Sequence, residues 1–454
     1  MREDAEESGG RVNLTKLKER VFPRQVFYGW YIATAGAGTN FIVLGITFFG
    51  FGVFLEEFRL TSGWSVTAIA LGYSIQMLQQ GLLAPVTGHI LDRVGPRKMA
   101  VAGVTIISLS LLLFSQATIL PIYYAACMVM ALGQGMGGPN AFSLAVMRWF
   151  VRKRGRAMSI VTTGNGLGYF STMILAAMIA GFGFHETFVV LAVVIFVVGI
   201  PLALVIRDRP ENFGLLPDGE IQGGDSQSAA AQAGRSRATG GLEVGEAVRT
   251  PAFYLLVLAM AAGAAAQIVW IVFQVPHLRS AGFSLGFVGI QAAAYGMAAI
   301  PLRWAVGWLG DTFGRKKMYM LAVSLEGIGL FFFAFVSPDR WWLFIPFYLT
   351  FGIGHAGWLV MSQSLPADFF GSKHFAAIRG LIISLQIPVS MVVPLFMGFV
   401  FDTRGNYQLA YLVIACITVS GALCLGLSRR PLWIQMTAPK LAAVARAGDG
   451  KTAP

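Results

Sequence analysis

Apolar runs of about 20 residues recur along the chain between short polar stretches, and each is long enough to cross a bilayer as a helix. Read this way, the pattern predicts twelve spans, near 28–55, 65–91, 98–117, 119–147, 155–182, 186–206, 250–277, 286–309, 317–336, 341–366, 376–400 and 407–427. They divide six and six. Between the sets, RDRPENFGLLPDG leads into DSQSAAAQAGRSRATGG, too polar and small-residued to pack a core. The expected organisation is a tail at 1–27, a six-helix bundle at 28–206, a linker at 207–249, a second six-helix bundle at 250–427 and a tail at 428–454. The first 27 residues carry mixed charge and no apolar region of their own, so the first span is expected to remain uncleaved.

A phrase repeats inside this pattern. GHILDRVGPRK at Gly88–Lys98 returns as GWLGDTFGRKK at Gly307–Lys317, 219 residues later, each time between two apolar runs. Gly88, Asp92 and Gly95 correspond to Gly307, Asp311 and Gly314, followed in both copies by a basic cluster. That suits a tight turn between helices at a charged membrane face, in a chain built by duplication. The six residues are expected to gate conformational change, with Asp92 and Asp311 tying helix ends together.

Composition agrees. With 454 residues, 56% hydrophobic and only 12% charged, the chain has more apolar surface than a soluble core hides. Lysine and arginine set the orientation. With the N-terminus inside, the cytoplasmic segments hold 29 of the 34 basic residues, and the outer loops hold Arg59, Arg279, Arg340 and Arg404. Both termini are therefore expected in the cytoplasm, with the chain in a plasma or bacterial inner membrane. Topology and anionic lipid then account for the formal charge of +12, with no nucleic acid required.

One basic residue remains. Arg303 stands eight residues before Asp311 on the eighth span, roughly 12 Å of helical rise into the hydrocarbon. That costs several kcal/mol by order of magnitude unless the side chain faces protein or water. Its planar fork can hold a carboxylate through two parallel hydrogen bonds. The alternative is structural: Glu326, the acid inside the ninth span, lies at similar depth across the hairpin and is a candidate partner for Arg303.

At these residues the chain resembles the major facilitator superfamily, and within it bacterial relatives of monocarboxylate transporters and oxalate/formate antiporters. The paired loops carry the superfamily match. The narrower match is spread over YGW at Tyr28–Trp30, FGVFLEEF at Phe51–Phe58, RDRPENFGLLPDG at Arg207–Gly219, QVPHLRSAGFS at Gln274–Ser284, LPADFFG at Leu365–Gly371 and GFVFDTRGNYQLAY at Gly398–Tyr411. The resemblance implies an all-α integral membrane fold of twelve helices in two six-helix bundles around a cavity open alternately to either side. Spans 1, 4, 7 and 10 would line it, with 3, 6, 9 and 12 outside. RWAVG at Arg303–Gly307 is similar to the family's helix 8 arginine, which binds the substrate carboxylate.

The departures matter too. Ala299 stands where animal monocarboxylate transporters often place an acid, and Phe48 or Phe49 occupies the place of their helix 1 lysine. Oxalate exchangers carry a second basic residue on helix 11, for which GLIISLQIPVSMVVP has no counterpart, and Ala131 replaces an arginine common in proton-linked members. One cavity cation suits a monoanion better than a dianion.

With a cavity-lining seventh helix, Gln267, Trp270 and Gln274 share one face at i, i+3 and i+7, able to hold a hydroxyl or keto group or simply to bond neighbouring helices. Tyr295 lies within about 80° of Arg303 on the helical wheel and is a further binding candidate. His355, in GIGHAGW, is the histidine deep in a span. It is a candidate proton carrier, or else a neutral histidine bonded to a neighbouring helix. The glycine runs GQGMGGPN at Gly133–Asn140 and GNGLG at Gly164–Gly168 favour close helix packing over phosphate binding, since no P-loop lysine follows. Asn140 and Asn165 are candidates to expose amides to the cavity.

Cys127, Cys416 and Cys424 lie singly in apolar spans, and no set of metal ligands or nucleophile and base is present in the sequence. No cofactor, metal or enzymatic activity is expected. The leading expectation is a monomeric secondary carrier for small organic monocarboxylates, lactate- or pyruvate-like hydroxy or keto acids, running by proton symport or anion exchange. A hydrophobic-compound exporter and a non-transporting membrane sensor on the same fold are the alternatives.

Overall fold

The computed structural model describes residues 27–428 except 138, 151–152, 209, 211–240 and 372–373. The tails, and most of the linker, lie outside the described residues. Helical stretches that run on from one another group into twelve rods among the described residues. In the first half they are α1 (Tyr28–Ser62), α2 (Val66–Val94), α3 (Pro96–Ser115), α4 (Leu120–Gly137 with Pro139–Trp149), α5 (Arg156–Phe182) and α6 (Phe184–Leu204). In the second half they are α7 (Pro251–Ser280), α8 (Leu285–Phe313), α9 (Arg315–Ala334), α10 (Pro338–Phe370), α11 (Phe375–Arg404) and α12 (Gln408–Leu427). Ten of them are long and apolar enough to span a bilayer. The other two are α2, diluted by Gln76, Gln79 and Gln80, and α4, whose residue 138 lies outside the described residues. The chain is an integral, multi-pass membrane protein.

Several rods outrun the apolar runs that announce them. The charges at Glu56, Glu57 and Arg59 look like the end of α1 in sequence, yet the helix continues to Ser62. Glu56 is buried, and Arg59 satisfies it at 2.7 Å one turn later, so the pair continues the helix at little cost in desolvation.

The repeated phrase forms the same turn twice. Gly95 ends α2 at φ 91° and its N–H bonds the Leu91 carbonyl; Gly314 ends α8 at φ 91° and its N–H bonds the Gly310 carbonyl. Only glycine adopts that backbone without strain. We call the face bearing these turns the basic face. Gly88 has nothing within 4 Å of where a Cβ would stand. The side chains of Asp92 and Asp311 and the surroundings of Gly307 lie outside what is described.

The two bundles meet away from the basic face. Asp402, at the end of α11, accepts hydrogen bonds from the Val66 and Thr67 amides at 2.9 Å each and from the Thr67 hydroxyl at 2.6 Å. Ser74 donates to the Met391 carbonyl at 2.8 Å, and the Arg59 guanidinium lies 5.4 Å above the Phe401 ring. Nearer the middle, Gly52 on α1 abuts the Val272 carbonyl of α7, and Gly296 on α8 abuts Tyr169 of α5. Toward the basic face, α2 instead exposes Leu82, Val86 and Ile90, and α11 exposes Ile383. The contacts between the bundles thus gather at the far face and near mid-depth.

Candidate functional site

Arg303 projects from α8 toward α5. A Cβ on Gly166 would stand 3.7 Å from the Arg303 Nη1, so the absence of a side chain there leaves the guanidinium its room. No hydrogen bond or ion pair engages Arg303 among the described residues, and its buried Nε is unpartnered. The structural alternative, an Arg303–Glu326 pair, is not formed. Glu326 instead bonds His355, Oε1 to Nδ1 at 2.8 Å. The reason is helix contact: Gly354 lets α10 approach the α9 backbone at Glu326, which brings His355 to the carboxylate first.

Further orphaned groups lie on the same helices. The Tyr295 hydroxyl on α8 and the Asn165 Oδ1, next to Gly166 on α5, are buried without partners. Trp270 and Tyr295 pack with ring centroids 4.8 Å apart, and Tyr169 meets Tyr295 edge-on at 5.1 Å. Arg303 lies within electrostatic reach of Tyr169, Tyr295 and His355. Buried polar atoms are normally satisfied. Unpaired donors and acceptors on the helices that bear and face an unpaired guanidinium between two bundles are therefore what a polar anion would complete.

Of the other sequence candidates, Gln274 is fully buried with both ends of its amide unpartnered, Gln267 is half-buried one turn before Trp270, and Asn140 is exposed on α4. Sequence reasoning does not single out Tyr169. The signal is present: it stands one turn beyond Asn165, on the same face of the GNGLGYF stretch.

His355 and Glu326 are both buried, at 2% and 0% exposure. The imidazole is stacked between Phe351 and Trp358, at 5.4 and 5.6 Å between centroids, and the second carboxylate oxygen, Glu326 Oε2, has no partner. A π-helical segment, Tyr348–Gly352, lies immediately before this turn of α10, and such wide turns gather at functional sites.

A family model for the Major Facilitator Superfamily matches residues 35–277 and again 255–440. The chain belongs to the Major Facilitator Superfamily. The double match mirrors the internal duplication. Among relatives, a zebrafish (Danio rerio) protein named monocarboxylate transporter 12-B is 24% identical over 90% of this chain and 89% of its own length. An oxalate:formate antiporter of Oxalobacter formigenes is 22% identical over 78% and 80% respectively. Among solved structures, the nucleoside transporter NupG superposes with a TM-score of 0.65 at 13% identity, covering 88% of this chain and 98% of that one. That likeness speaks for the Major Facilitator fold alone. Superfamily membership makes the chain a membrane transporter by family.

Proposed function

We propose that this chain is a secondary carrier of small organic monocarboxylates, such as lactate- or pyruvate-like hydroxy and keto acids, moved by alternating access. The observation that carries the reading is the unpaired Arg303, with the Tyr295 hydroxyl unpartnered on the same helix and the Asn165 Oδ1 unpartnered beside Gly166. A guanidinium holds one carboxylate by two parallel bonds, and the neighbouring donors suit the oxygen on the next carbon. A single cation favours a monoanion. The names of the monocarboxylate transporter and oxalate:formate antiporter relatives support the same substrate class.

In this reading both termini and the basic face lie in the cytoplasm of a plasma or bacterial inner membrane, and the bundles, joined at the far face, part toward the inside. The protein works as a monomer in lipid. The paired turns around Gly88, Asp92 and Gly95 and around Gly307, Asp311 and Gly314 come together when the inner side closes, which leaves Gly88 without contacts here. His355 couples transport to protons; exchange for a second anion is the competing cycle.

The test is a binding screen of short carboxylates on purified protein, then labelled uptake into proteoliposomes with native protein and Arg303→Gln. Carboxylate binding and accumulation that vanish in the variant support the proposal. A variant that folds and transports at the native rate removes Arg303 from the site. Binding without accumulation makes the protein a sensor.

A further inference from the structure

We propose that Glu326 and His355 together hold one transported proton, and that a carboxylate bound at Arg303 is what loads it. The inference rests on the carboxylate reading above and goes beyond it by naming the coupling ion's site.

The fold does not require this pair. Moved back by the 219-residue repeat distance, Glu326 corresponds to Ile107 and His355 to Met136, and GIGHAG at 352–357 corresponds to GQGMGG at 133–138. The α3/α4 crossing is the counterpart of α9/α10, shifted by two residues on one helix: Gly133, the counterpart of Gly352, packs on Ile107, whereas Gly354 packs on Glu326. One half makes the crossing with hydrocarbon. The other spends two ionisable groups on it, buried from water, with one carboxylate oxygen unsatisfied. Such groups inside a membrane protein mark ion and proton paths.

Few other charges reach the pair. Arg303 and Tyr295 face it from α8, Tyr319 from α9 itself and Tyr169 from α5. Tyr348 of α10 donates to the Gln291 carbonyl, His277 of α7 bonds the Phe333 carbonyl near the far face, and Arg379 of α11 is engaged by Gln363 two turns from His355. Among the described residues α12 sends no charged group to it.

The charge states then follow. With the cavity empty, the pair is an ionised Glu326 hydrogen-bonded by a neutral His355, and its charge is balanced by the Arg303 cation, which lies within electrostatic reach of His355. An anion on Arg303 cancels that cation and leaves the charge of the pair uncompensated in low dielectric, where a lone charge is costly. One proton from cavity water removes the imbalance. It is held on Glu326 Oε1 as a carboxylic acid hydrogen-bonded to the neutral Nδ1 of His355. No other bond forms or breaks, and the proton returns to water when the anion leaves. The site is neutral empty and neutral loaded, so each cycle carries one anion, one proton and no net charge. Anion and proton therefore bind cooperatively.

The probes are lactate, pyruvate, formate and oxalate, used with full-length protein. Infrared difference spectra should show a protonated-carboxyl band that grows on adding a bound acid at fixed pH, is absent from Glu326→Gln, and accompanies uptake of one proton per acid. In proteoliposomes, Glu326→Gln and His355→Gln should lose pH-gradient-driven accumulation at least tenfold more than acid–acid exchange, and clamping the membrane potential should leave native uptake unchanged. A band insensitive to the acid, or equal loss of accumulation and exchange in both variants, overturns the proposal. A native protein that exchanges acids but ignores the pH gradient overturns it while leaving the carboxylate reading intact. A native protein that neither binds nor exchanges any of the four acids removes both.

Discussion

The two halves of this molecule share a skeleton and differ in chemistry. At the repeat distance of 219 residues, Gly95 matches Gly314 with the same φ of 91°, and Gly133 matches Gly352. At cavity depth the match ends: Ala84, Ile107 and Met136 stand in the first half where Arg303, Glu326 and His355 stand in the second. Turns and close helix crossings depend on backbone geometry, which tolerates few residues, so both halves keep them. Side chains within the bundle are free to diverge once packing is satisfied. The first half supplies aromatic and amide surface, including Tyr169 and Asn165, against which the charged half works.

The largest expected effect tests that division directly. Arg303→Gln should weaken binding of a small carboxylate about a hundredfold, the roughly 3 kcal/mol lost when one member of a buried charge pair is removed. Ala84→Gln, at the matching place, should change it less than about threefold by calorimetry. Next, Glu326→Ile leaves a neutral His355 buried with an unsatisfied ring nitrogen and should lower stability by about 2 kcal/mol. The double variant Glu326→Ile, His355→Met puts the first half's residue types at both places, and its thermal unfolding in detergent should return to the native value or above. A double variant no better than the single would show that apolar packing does not replace the pair.

Effects of that size and smaller probe what the halves share. Gly95→Ala and Gly314→Ala should each cost about 2 kcal/mol, because both need a backbone that alanine resists. Gly95 should be the worse, since its Cβ would stand 3.0 Å from the Asp208 carboxylate while nothing crowds Gly314. Equal unfolding midpoints would contradict this. The smallest effect is expected where the halves touch. Asp402→Ala should shift the balance toward an opened far face by about 1 kcal/mol, roughly fivefold, read from spin-label distances across that face.

The pattern of apolar runs made the twelve rods, the duplication and the glycine turns legible. Helix ends were not, because a charge such as Glu56 ends an apolar run without ending a helix when Arg59 pairs with it. The site was legible in part. Arg303 announces itself as a lone cation in an apolar span. Its relation to Glu326 does not, because residue counting along a hairpin gives depth but not direction around the helix. The partner of Glu326 was decided by Gly354, a residue whose effect is to let another backbone come close. Tyr169 was hidden inside a glycine run that reads as packing.

The Asp402 contact has an uneven susceptibility to mutation. Two of its three hydrogen bonds come from main-chain amides at the start of α2, and one comes from a side chain. Replacing Thr67 by most residues removes a single bond and leaves the amides in place. Every replacement at 402 short of another acceptor removes all three. Random mutagenesis for variants that favour the other conformation should therefore return substitutions at 402 repeatedly and at 66 and 67 seldom, with proline the exception, since it deletes an amide and is tolerated in a helix's first turn.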